Sequence, residues 1–251
     1  MRVLVLSDIH ANLEALNAAL EAAAPFDELW NLGDVVGYGA SPNETITLMR
    51  ERARHNVRGN HDRVCCGLTS ALGFNPVARA AATWTREEMT DDNREWLAAV
   101  PQGPLNLTEP AGVTLAHGSP LNEDQYILSM RDAWAPLQQM HSIVTFIGHT
   151  HLQGGFVQKE HDWHEVRPRY SSTSGAVTWT LSLTEGTRHL INPGSIGQPR
   201  DNDWRSAFAI YDTEAAEIIF HRVPYDLTTA QGRILMAGLP ERLATRLRDG
   251  R

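Results

Sequence analysis

Cysteine is nearly absent: the chain has two, Cys65 and Cys66, side by side. Adjacent thiols bridge each other poorly, so no disulfide framework is expected, which fits a reducing compartment. Long apolar runs are missing too. No stretch approaches the ~18 residues that a membrane span requires, and the run from Val3 to Leu6 gives way to Asp8, too short and too acidic for a signal-peptide core. A cytoplasmic protein with no membrane partner is expected. Basic charge is in deficit, with 22 Lys and Arg against 30 Asp and Glu, a net −8. That balance argues against a broad phosphate-backbone surface, and so against long nucleic acid as a partner. An acidic chain that handles an anionic substrate needs a local cation, and metal ions are the commonest source.

What is present is enough for a sizeable core. At ~100 to 200 residues per domain, 251 residues make one large domain or two small ones, and 42% of them are apolar. No internal repeat or Pro/Gly/Ser-rich linker divides the chain, so one domain over 1–251 is expected. Arg2 to Ser7 reads as a strand, and Leu13, Leu16 and Leu20 then recur at helical spacing over Asn12 to Ala23. Glu28 to Leu32 reads as a second strand. Ser41-Pro42-Asn43-Glu44 has the form of a capping box with Pro at the first helical position, predicting a helix over about Pro42 to Ala53. Asn56 to Arg58 reads as a third strand, and this order implies parallel strands with right-handed crossovers.

Between about 76 and 100, Ala-rich text with Trp84 and Trp96 predicts a helical insertion of two helices. Leu105 to Leu107 and Val113 to Ala116 predict a hairpin. Ile143 to Ile147 and five short segments between Phe156 and His221 read as strands. A helical tail closes the chain over about 226–251. The class is α/β, or α+β given the strand-rich second half.

Strand after strand stops at a metal-ligand residue: Asp8-x-His10, Gly33-Asp34, Gly59-Asn60-His61-Asp62, His117-Gly118 and Gly148-His149-Thr150-His151. In open α/β sheets ligands bind beyond the carboxyl ends of the strands, so these residues are expected to converge. Two carboxylates, one carboxamide and four imidazoles make a mixed oxygen and nitrogen set, suited to Mn, Fe, Co, Ni or Zn rather than to an all-oxygen Mg or Ca cage. Seven ligands are too many for one ion and suit two ions that share a carboxylate. Paired ions ~3.5 to 4 Å apart orient a phosphate and stabilise the attacking and leaving oxygens of an in-line displacement, so phosphoester hydrolysis is the expected reaction.

In that order, these five blocks resemble the calcineurin-like metallophosphoesterase superfamily, specifically its small single-domain prokaryotic branch. Asn192-Pro193-Gly194-Ser195 looks like a further segment of the same branch. The resemblance implies a four-layer α/β-β/α sandwich of two mixed β-sheets flanked by helices. It implies one metal site from Asp8, His10 and His151, another from Asn60, His117 and His149, and Asp34 as the bridge. It implies two divalent ions, Mn foremost, with Fe, Zn, Ni, Co or Mg as alternatives, and in-line attack by a metal-bridging hydroxide. His61 is expected to protonate the leaving oxygen and Asp62 to orient it.

The resemblance does not choose among a phosphodiester, a phosphomonoester, a dinucleoside polyphosphate and a phosphoprotein. The acidic balance favours a small phosphorylated substrate, a nucleotide among them. A protein-binding scaffold with vestigial metals is the non-enzymatic alternative. Tyr38 is a candidate for stacking on a substrate ring, and Arg200 for contacting phosphate. His161 and His164 look like part of an exposed hairpin, Cys65 and Cys66 like packing residues, and His55, His141, His189 and His221 like surface residues.

Overall fold

The computed structural model covers residues 1–251. Two six-stranded mixed sheets lie face to face. The first runs in the order β3 (Ala53–Asn56), β2 (Glu28–Asn31), β1 (Arg2–Leu6), β11 (Ser206–Asp212), β12 (Glu217–Val223), β9 (Val177–Ser182). The second runs β4 (Leu105–Asn106), β5 (Val113–Leu115), β6 (Val144–Phe146), β10 (Thr187–Asn192), β7 (Gly154–Lys159), β8 (Asp162–Val166). β1, β2 and β3 are mutually parallel, as are β5, β6 and β10, and the remaining pairs are antiparallel.

Side-chain alternation on β1 explains the layering. Val3 and Val5 face the second sheet and pack with Leu115, Phe146 and Ile191, while Leu4 and Leu6 face the helices. A strand covered on both faces reads as a continuous apolar run, as this one does. On the outer face of the first sheet lie α1 (Leu13–Ala23), α2 (Pro42–Arg52), α4 (Pro76–Glu88), α5 (Asp91–Ala99), α7 (Leu227–Met236) and α8 (Glu241–Asp249), with the short α3 (Asn60–Cys65) between them. α6 (Met130–Gln139) covers the second sheet, its Ala133 and Leu137 packing on Phe156 and Leu190. No helix is long and apolar enough to cross a membrane.

Several boundaries differ from the sequence expectation. β3 begins at Ala53, where α2 ends, because α2 passes straight into the strand with no connecting residue. Ser41 does not form the capping box: its hydroxyl has no partner, and its backbone instead accepts from Thr45 and donates to the Ala11 carbonyl. The tail is two helices, broken where Gly238 takes a left-handed φ of 68° and Pro240 follows. α6 has no counterpart among the elements read from the sequence; Pro136 lies inside it. His189 is buried at 1% exposure rather than on the surface, with its Nδ1 against the Ile143 carbonyl.

Candidate metal centre

The loops that follow β1 and β2 are locked to each other by backbone bonds. Asp8 N–H donates to Gly33 O at 3.0 Å, His10 N–H to Asp34 O at 2.9 Å and Ala11 N–H to Val35 O at 2.9 Å. The turns are tight, and five of the seven candidate ligands hold positive φ: Asp8 53°, His10 49°, Asp34 54°, His149 66° and His151 62°. Non-glycine residues in that region are disfavoured and persist where surrounding structure over-determines them. Glycine is required where the loops meet, because a Cβ on Gly59 would lie 2.1 Å from Asp34 Oδ1.

The structure brings the seven residues together in two overlapping groups. The ligand atoms of Asp8, His10, Asp34 and His151 lie within 4.8 Å of one another, and so do those of Asp34, His117 and His149. Asn60 joins the second group, its Oδ1 lying 3.1 Å from His117 Nε2. Asp34 belongs to both. Its Oδ1 accepts from the His61 backbone N–H at 2.8 Å, while its Oδ2 faces His10 at 3.7 Å and His117 at 3.4 Å.

The imidazole tautomers decide what this cluster wants. His10 Nδ1 donates to Val36 O at 3.1 Å, His151 Nδ1 to Gln198 O at 2.6 Å and His117 Nδ1 to Leu32 O at 2.9 Å. The Nε2 lone pairs of His10 and His151 therefore point inward and confront each other across 3.1 Å, while His117 Nε2 faces Asp34 Oδ2 at 3.4 Å. His149 is reversed: its Nε2 donates to Asp124 O at 3.2 Å, which leaves Nδ1 as its lone pair. Asp8 Oδ2 is satisfied by Ser7 and by the His149 backbone, but Asp8 Oδ1 is buried with no hydrogen-bond donor. Converging lone pairs and an unpartnered buried carboxylate oxygen are a poor arrangement without a cation and a good one around it.

The titration of these groups agrees. Burial holds His10 and His151 well below the ordinary imidazole range and His149 down at about 3, so all three are neutral ligands at pH 7. Burial also pushes His117 down, but the Asp34 carboxylate beside it more than offsets that and raises it to about 10. In the metal-free chain a proton on His117 stands where a cation would. The buried Asp and His cluster fits a metal site.

Residues 1–216, which carry all seven of these residues, match the Calcineurin-like phosphoesterase superfamily domain. The chain belongs to the calcineurin-like phosphoesterase superfamily. It is 33% identical over 254 residues to the uncharacterized protein MJ0912 of Methanocaldococcus jannaschii, across 99% of this chain and 98% of that one. Among solved structures it is similar to a metallophosphoesterase from Sphaerobacter thermophilus, at 38% identity and a TM-score of 0.85 over 100% of this chain and 99% of that one. The hypothetical protein PH1004 of Pyrococcus horikoshii OT3 shares the fold, with a TM-score of 0.76 at 22% identity over 100% and 98% of the two chains.

In this member of the superfamily two expectations need correction. Asp62 does not orient His61. Its carboxylate accepts from the backbone N–H groups of Asp34 at 2.8 Å, Gly59 at 3.0 Å and Val36 at 3.2 Å, so it braces the loop of the shared ligand. His61 Nδ1 is buried without a partner behind Gly37, where a Cβ would come within 2.6 Å, so Nε2 is the nitrogen left to meet a substrate. Nor is Tyr38 a free platform. It is 7% exposed and its ring is covered by His10 at 4.7 Å and His61 at 4.4 Å.

The exposed aromatic ring is one that sequence reasoning missed. Tyr126 lies flat on His149, centroids 4.1 Å apart and planes 7° from parallel, and remains 45% exposed. Its loop is tied down by Arg63, which pairs with Glu123 and with Asp124 at 2.8 Å, and Asp124 supplies the carbonyl that sets the His149 tautomer. The Asn192–Ser195 segment has a defined part. Asn192 Nδ2 donates to Gly148 O and Thr150 Oγ1, pinning the His149 and His151 turn, and Ser195 Oγ donates to Asp8 O. Arg200 lies close enough for its charge to act on Asp8, His10, His61 and His151. His161 and His164 sit exposed on the β7–β8 hairpin, outside both ligand groups. Cys65 is a packing residue whose thiol burial pushes well above its ordinary value.

Proposed function

We propose that the protein is a dinuclear metal-dependent phosphoesterase acting on a small phosphomonoester or phosphodiester. The observation that carries this is the sharing of Asp34 between two ligand groups that otherwise have no residue in common. Asp8, His10, Asp34 and His151 would hold one ion, and Asp34, Asn60, His117 and His149 the other. Two divalent ions, Mn foremost, would supply Lewis acidity toward the phosphoryl oxygens and a water acidic enough to attack phosphorus near neutral pH.

The chain's own residues do the rest. Asp34, held by the His61 backbone and by the loop that Asp62 braces, fixes the spacing of the two groups. His61 presents Nε2 beside them and donates its hydrogen to the leaving oxygen. Burial holds its imidazole at about 4, so at pH 7 it is neutral until an arriving phosphate adds negative charge beside it. Cytoplasmic residence belongs to the same proposal.

Hydrolysis of p-nitrophenyl phosphate and bis-p-nitrophenyl phosphate by chelated protein, with Mn, Fe, Zn, Ni, Co or Mg added back, tests this. Metal-restored turnover of either ester is expected, and their ratio separates monoester from diester preference. No turnover with any of the metals would favour the protein-binding scaffold instead.

A further inference from the structure

A cleft of about 890 Å³ opens beside the metal centre, between α8, the start of α4 and the site loops. Tyr38, Tyr126, Arg200, Arg242, Arg246 and Asp249 line it. Tyr38 is the shared wall. One side of its ring meets His10 at 4.7 Å, and the Arg246 guanidinium sits 5.8 Å from the ring centre, so that guanidinium is within roughly 10 Å of a candidate ligand.

Four arginines, Arg200, Arg242, Arg246 and Arg251, line this cleft in a chain of net charge −8. None of Arg200, Arg242 and Arg246 is held by an Asp or Glu side chain. Arg200 Nε is buried with no acceptor, while Arg246 Nε donates to a terminal oxygen of Arg251. Burial and the nearby charges of Arg200 and Arg242 push the Arg246 guanidinium down to about 10. The positive end of α4, a 13-residue helix whose first residues Pro76 and Val77 line the cleft, adds to the same field. Asp249 is the one acid in the lining. Like charges that outnumber the acids beside them favour an added anion.

We propose that this cleft is an anion subsite and that the substrate is an oligophosphate or an ester of one. The phosphate to be cleaved would sit at the ligand cluster, and the phosphates beyond it on Arg200, Arg242 and Arg246. In the reaction the oxygen of water bonds to the scissile phosphorus. The bridging P–O bond breaks with its electron pair on the leaving phosphate, and the protons of water pass to that oxygen and to solvent. Arg242 and Arg246 lie on α8, beyond residues 1–216, so a segment outside the family domain completes the subsite that Arg200 begins. The hydrolytic half rests on the phosphoesterase reading; the binding half does not.

Calorimetric titration of inorganic tripolyphosphate into the purified protein, before and after chelation, tests the subsite. Arg242 is exposed, so Arg242→Glu keeps the fold; Arg246→Ala is the second variant. Each is expected to weaken binding about 10- to 100-fold, and wild-type affinity should fall steeply with salt. In the metal-loaded protein, KM for tripolyphosphate should rise at least tenfold more than KM for p-nitrophenyl phosphate. Failure of the wild type to bind tripolyphosphate, or equal binding by all three proteins, overturns the subsite. Equal changes in both KM values overturn it as well. Arginine-dependent binding by a protein that hydrolyses nothing upholds the subsite and overturns the phosphoesterase reading.

Discussion

The carboxylate of Asp62 accepts from the backbone N–H of Asp34 at 2.8 Å and turns away from the imidazole of its neighbour His61. A buried acid thereby holds the loop of the shared ligand, and its removal strands three buried N–H donors. Asp62→Ala should destabilise the protein by about 3–5 kcal/mol and lower its melting temperature on the order of 10 °C, with loss of metal from both sites. Calorimetry and metal analysis check this. Unchanged metal content with an altered pH–rate profile would return Asp62 to the role of orienting His61.

Asp34 serves two ligand groups and Asp8 one. Asp34→Asn should therefore reduce bound metal from about two ions per chain to below one, whereas Asp8→Asn should mainly weaken the ion held with His10 and His151. Activity should fall further in the first variant. Equal and mild losses by metal analysis and by rate would show that Asp34 does not bridge.

His61 belongs to neither ligand group. His61→Ala should leave metal content near two ions per chain and slow alkyl phosphoesters by ~10² to 10⁴, the usual worth of general-acid help. A nitrophenolate departs without a proton, so its esters should lose much less. An emptied metal site, or equal slowing of both substrate types, would make His61 a ligand or a phosphate-positioning group.

Metal uptake should expel a proton. With His117 raised to about 10 in the metal-free chain, an ion arriving below that pH displaces the proton from Nε2. Metal affinity should then rise ~10-fold per pH unit between about 7.5 and 9, as read by competition with a chromophoric chelator. The same proton stabilises the metal-free fold fully below the ordinary imidazole value of 6.5, and that contribution is lost as pH rises through about 10. A flat affinity over this range would mean that His117 is neutral before metal binds.

The seven candidate ligands were legible because each terminates a strand or opens the loop after one, where the periodic pattern stops at a polar residue. The doubly covered strands were legible for the same reason, as unbroken apolar runs. What was not legible depended on approach through space. Tyr126 and Asp124 lie on a loop with no periodicity and reach His149 only through the Arg63 clamp. Arg242 and Arg246 look like the solvated face of a helix until that helix is seen packed beside Tyr38. Asp62 adjoins His61 in sequence, yet its carboxylate bonds the backbone of Asp34, Val36 and Gly59. At the start of α3 the two side chains diverge, and the carboxylate caps backbone instead. α6 has a legible start, the reciprocal cap of Ser129 and Asp132, but carries Pro136 in its interior.

Each ligand group draws on both sheets. Asp8, His10 and Asp34 follow strands of the first sheet and His151 follows one of the second; Asp34 is joined by His117 and His149, which follow β5 and β6. The two sheets share no strand and meet through apolar side chains. Ions in this position would act as rivets across the sandwich. Prising the sheets apart, the motion that wets Val5, Phe146 and their neighbours, would have to wait for the rivets to leave. The lifetime of the loaded fold would then follow the departure of its ions, and a chelator in the buffer would shorten it without touching a single apolar contact.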